Sequence, residues 1–125
     1  MLLVAFVALS ALVGCRYSNQ AYRFDKTKVW SAAAGQAVAW HPDSINEQDQ
    51  TVESVKTDLT GNEIRYRLEV ATDLNPFARR PSSRVFVRME RIKPSRERFK
   101  QLEQDFLAKI QARLDALNPP TRPAP

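Results

Sequence analysis

The chain has 125 residues, with 43% hydrophobic and 26% charged, which is the balance of one ordinary globular domain. A single cysteine excludes an internal disulfide, a single histidine excludes an imidazole cluster for a metal, and 3 glycines argue against a Gly-rich phosphate cradle. The formal net charge of +5 favours anionic partners, although a basic surface also serves solubility alone.

Residues 2–13 are apolar except for Ser10 and run into Leu12-Val13-Gly14-Cys15, which contains the sole cysteine. This run is shorter than the roughly 20 apolar residues that span a bilayer. It suits the apolar region of a signal peptide, and Gly14 offers a slim residue at the cleavage edge. Leu12, Val13, Gly14 and Cys15 resemble the lipobox of bacterial lipoproteins. The resemblance implies cleavage between Gly14 and Cys15, a diacylglycerol thioether on Cys15 and acylation of the new amine. Several acyl chains anchor stably where one binds marginally. It further implies the bacterial cell envelope. By resemblance to Gram-negative lipoproteins, Arg16 rather than Asp after the cysteine favours the periplasmic face of the outer membrane over the inner membrane. Met1-Leu2-Leu3 lacks the basic residue that opens most signal peptides, so either the start lies upstream or the terminal amine supplies the charge. The competing reading is a buried helix or uncleaved anchor with an incidental cysteine. The expected division is a signal peptide over 1–14, a lipidated Cys15 and tether over 15–24, a folded domain over 25–117, and a Pro-rich disordered tail over 118–125.

Asp25 is positioned to cap a helix beginning at Lys26. Val29, Ala33, Ala37 and Trp40 recur at helical spacing, and His41-Pro42 ends the pattern. Residues 43–50 are polar and acidic, a loop or short edge strand; 51–58 form a weak strand, and Leu59-Thr60-Gly61-Asn62 a turn. Ile64, Tyr66, Leu68 and Val70 alternate with Arg65, Arg67, Glu69 and Ala71, the mark of a half-buried strand. A loop over 73–83 holds Arg79 and Arg80. Then Val85, Val87 and Met89 alternate with Arg84, Phe86, Arg88 and Glu90, predicting an antiparallel hairpin in which Arg67 or Arg88 lies across from Glu69 or Glu90. Pro94-Ser95 starts a helix over 96–117, with Phe99, Leu102, Phe106, Ile110, Leu114 and Leu117 inward and Glu103 outward.

The predicted fold is α+β: a two-layer sandwich of order α-β-β(-β)-β-α, with two helices packed on one face of an antiparallel sheet. Over Lys26–Leu117 this order is similar to the small helix-grip domains of some outer-membrane lipoproteins, including an accessory lipoprotein of the β-barrel assembly machinery. The carboxylates Asp43, Glu47, Asp49 and Glu53 lack the glycine and spacing of a calcium loop, and no Ser/His/Asp arrangement surrounds His41. No catalytic residue, metal, cofactor or small-molecule substrate is therefore expected, and the export signal argues against a nucleic-acid partner. The expected function is a non-enzymatic interaction or structural domain anchored to a membrane, with an envelope protein as a possible partner. The alternative is a basic module that docks on acidic headgroups or an acidic protein through Arg65, Arg67, Arg79, Arg80, Arg84, Phe86 and Arg88.

Overall fold

The structure, a computed structural model, describes residues 17–73 and 81–117. Gly14, Cys15, Arg79, Arg80 and the tail 118–125 therefore lie outside the described residues. The elements are β1 (Ser18–Tyr22), α1 (Lys26–Ala37) with a 3-10 turn over Val38–Trp40, β2 (Ser44–Asn46), β3 (Thr51–Thr57), β4 (Glu63–Thr72), β5 (Ser83–Lys93), β6 (Glu97–Arg98) and α2 (Lys100–Leu117). All pairings are antiparallel, in the order β1-β5-β4-β3-β2, with β6 also on β5.

The alternation of β3, β4 and β5 sorts the sheet into two faces. Val52, Leu68, Val70, Val85, Val87 and Met89 point to one face, where both helices cover them. From the helices come Val29, Ala33 and Ala37 of α1 and Phe106, Leu107, Ile110 and Leu114 of α2, all buried. Each large aliphatic side chain buried here stabilises the fold by roughly 1.5–3 kcal/mol. Trp40 is sandwiched between Tyr66 and Phe106, with ring centroids 5.2 and 4.7 Å away. The two-layer α+β architecture is as the sequence predicts.

Local signals set the start of α1. The Asp25 side chain accepts from the Lys28 amide at 2.9 Å. His41 leaves the helical layer in the left-handed region at φ 50°, ahead of Pro42. At the β3–β4 turn Gly61 has φ 84°, where a side chain would be strained.

Three expectations need correction. Residues 18–22 form a strand rather than a tether, and Tyr22 is buried with its hydroxyl donating to the Leu107 carbonyl at 2.6 Å. The second helix begins at Lys100 rather than Arg96, because Glu97 and Arg98 add a short strand to β5. Glu103 faces inward and is fully buried, whereas Leu102 and Leu117 are exposed. The apolar stripe runs Phe99, Phe106, Leu107, Ile110 and Leu114, and Glu103 lies on it while Leu102 lies one position off.

Candidate functional site

The second face of the sheet carries the expected basic constellation. Arg65 and Arg67 of β4 and Arg84, Phe86 and Arg88 of β5 share this face, away from the helices. The register differs from the expected charge pairing. Arg67 lies directly opposite Arg88, Arg65 opposite Glu90, and Glu69 opposite Phe86. Two like charges facing each other across strands are unfavourable. The structure offsets this with acids on either side: Arg67 is 3.6 Å from Glu53 on β3, and Arg88 bonds Glu90 two residues along its own strand. The Arg88 guanidinium also lies 5.9 Å above the Tyr17 ring, within cation–π range.

The other arginines are likewise engaged. Arg65 is 3.9 Å from Glu53. Arg84 donates to Asn19 at 2.6 Å and lies 3.7 Å from Asp73. Arg65, Arg67, Arg84 and Arg88 are thus interleaved with Glu53, Glu69, Asp73 and Glu90, which leaves the face a neutral mosaic rather than a positive field. Among the described residues 15 Lys or Arg stand against 14 Asp or Glu. Most of the chain's excess positive charge thus comes from Arg16, Arg79, Arg80 and Arg122, outside the described residues.

The acidic stretch after α1 has structural partners. Asp43 accepts from the Val55 amide at 2.8 Å and from Lys56 at 2.9 Å, and these bonds, the backbone one foremost, lower its pKa. Glu47 accepts from the Trp30 indole at 2.6 Å, Asp49 bonds Asn46, and Glu53 lies between Arg65 and Arg67. Among the described residues no three His, Cys, Asp or Glu side chains are grouped to hold a metal. None of the described helices is long and apolar enough to cross a membrane.

The polar node at Glu103 runs against the expectation of an outward-facing side chain. β1 covers the edge of β5 as far as Val87, and β6 covers Glu90 and Arg91. Between them the Met89 amide donates to Glu103 Oε2 at 2.8 Å, and the Met89 carbonyl accepts from the Phe99 amide at 2.8 Å. Ser18 Oγ donates to the Glu103 carboxylate at 2.5 Å, and Arg98 donates twice, at 3.0 and 3.1 Å. The carboxylate thereby joins β1, β5, β6 and α2 at one point. The available signal was its spacing, four residues after Phe99 and three before Phe106.

Between the start of α1 and the end of α2 lies a mainly apolar cleft of about 310 Å³, lined by Phe24, Thr27, Lys28, Ser31, Leu114 and Leu117. Its walls carry no pair of groups arranged for acid–base or nucleophilic chemistry. In comparison with known proteins, no family model and no curated protein matches this chain.

Proposed function

We propose that the protein is an envelope lipoprotein of the bacterial outer membrane, held by lipid on Cys15, whose small α+β domain acts by non-covalent contact rather than by catalysis. The carrying observation is Leu12-Val13-Gly14-Cys15 at the end of the apolar run, a few residues ahead of β1. A cleavage before Cys15 removes no described element, because every described strand and helix lies within 18–117. Arg16 after the cysteine supports the outer membrane over the inner one. Support for a non-catalytic domain comes from the carboxylates at 43–53 and at 103, each engaged in a structural bond. The partner contact of the alternative reading, the Arg65–Arg88 face, has little net charge to offer an anion.

The test is metabolic labelling with an alkyne fatty acid. Label is expected on the wild-type chain and absent from Cys15→Ala, with the wild type in the outer-membrane fraction. Recovery of a soluble chain with its N-terminus intact would sink the proposal.

A further inference from the structure

We infer that one end of the sheet is a second membrane contact: Leu59 enters the bilayer interface, and Lys93 and Arg96 meet anionic phospholipid headgroups. This inference rests on the lipid anchor at Cys15 and gives the folded domain a fixed orientation on that anchor.

The topology brings the relevant segments to the same end. β3 runs toward it to Thr57, and β4 leaves from Glu63, which pairs with Lys93 at the end of β5. The β3–β4 turn over 58–62 and the β5–β6 turn over 94–96 therefore project from one end of the sheet. The chain enters β1 from this side, because Ser18 lies opposite Val87 whereas Tyr22 lies opposite Ser83.

Reach favours the contact. Cys15 precedes Ser18 by three residues, which span at most about 11 Å. Lys93 lies six residues beyond Val87 along β5, or about 20 Å. With the strands upright, the two turns thus extend further toward the bilayer than an extended segment can carry Cys15. The headgroup layer on each side of the hydrocarbon is only about 5–8 Å thick. In that orientation, lipid attached at Cys15 brings these turns into it.

The side chains there suit that layer. Leu59 is fully exposed at the tip of its turn. The neighbouring Asp58 carboxylate is turned back into the loop, accepting from Thr60 and Asn62. Lys93 reaches Glu63 only at 4.0 Å and its side chain is 74% exposed. Arg96 is exposed and has no ion pair among the described residues, while the nearby Glu97 is matched by Arg91 at 3.0 Å. An apolar tip flanked by cations is the composition that binds an anionic interface.

The test uses the full lipidated protein in vesicles of phosphatidylglycerol and phosphatidylcholine. Thioether formation at Cys15 leaves a single introduced thiol for a fluorophore, placed at Leu59→Cys or, at the opposite end of β4, at Thr72→Cys. The label at 59 should be shielded from a water-borne quencher and the label at 72 should not. Combined Lys93→Glu and Arg96→Glu should lower the shielded-to-free ratio at 59 several-hundredfold, roughly fivefold for each of the four unit charges changed at an anionic surface. Equal quenching at 59 and 72, or shielding that survives the charge reversal, overturns the inference. Shielding seen only in native envelope vesicles assigns this end to a protein and overturns it also. The mass of the purified chain reports lipid at Cys15 independently, so loss of the anchor is distinguished from loss of the contact.

Discussion

Replacing Glu103 by Ala should destabilise the domain by about 3 kcal/mol or more, the range for removing one partner of a buried ion pair. The carboxylate is fully buried and accepts four bonds, from the Met89 amide, from Ser18 and twice from Arg98. Truncation strands the Met89 N–H beneath the helix layer, at a desolvation cost of about 1–3 kcal/mol. It also leaves the Arg98 guanidinium without its carboxylate. Arg98 keeps 22% of its side chain exposed, so water recovers part of that loss and the total falls toward the lower end of the range. Domain stabilities are about 5–15 kcal/mol, so the variant should remain folded but move well down in urea. Tryptophan fluorescence suits the assay, because both Trp30 and Trp40 are buried. Glu103→Gln should lie between wild type and Ala, since it keeps an acceptor for Met89 but turns a donor amide toward Arg98. A double-mutant cycle with Arg98→Ala should give a coupling of about 1 kcal/mol or more. A loss below about 1 kcal/mol for Glu103→Ala would refute the reasoning, because that is the behaviour of an exposed pair.

Three further outcomes are expected. Trp40→Ala should cost about 3–5 kcal/mol in the same urea assay, since it empties the stack between Tyr66 and Phe106. Asp58 should titrate by carboxyl NMR at about 2, depressed from 3.8 chiefly by the Thr60 hydroxyl and then by Asn62. A depressed folded pKa means that the stabilisation is present above the unfolded value and is lost as pH falls through about 2; a midpoint at or above 3.8 would contradict it. Combined Arg65→Ser, Arg67→Ser and Arg88→Ser should leave vesicle docking of the lipidated chain nearly unchanged, because neighbouring acids neutralise that face; a marked, salt-sensitive loss would restore it as the docking surface.

Much of the fold is legible where the signal is local and periodic. The alternation through Ile64–Val70 and Val85–Met89 specifies two long half-buried strands, and their apolar sides meet as expected. Asp25, His41-Pro42 and Gly61 mark a helix start, a helix exit and a turn, because each acts on the backbone beside it. The faces of the candidate basic residues were legible for the same reason, since side-chain direction on a strand follows from parity.

What parity does not give is the partner across the ladder. The bulge near Glu63 and Ile64 and the pairing of Arg67 with Arg88 depend on how two distant strands align, and with them the neutrality of that face. Ser18-Asn19-Gln20-Ala21-Tyr22 has no β-branched residue and little strand character of its own. It becomes a strand because β5 offers an unpaired edge whose N–H and C=O groups need partners, and because Tyr22 finds the Leu107 carbonyl. Glu103 turns inward by the same demand, filling the gap in that edge between β1 and β6. The sequence by itself determined the layers, the faces and the expectation of lipid at Cys15, all of them properties of neighbouring residues. Only the tertiary structure decided which charges cancel, where the buried carboxylate goes, and that the entry to β1 shares one end of the sheet with Leu59 and Lys93, because those depend on contacts between segments far apart in the chain.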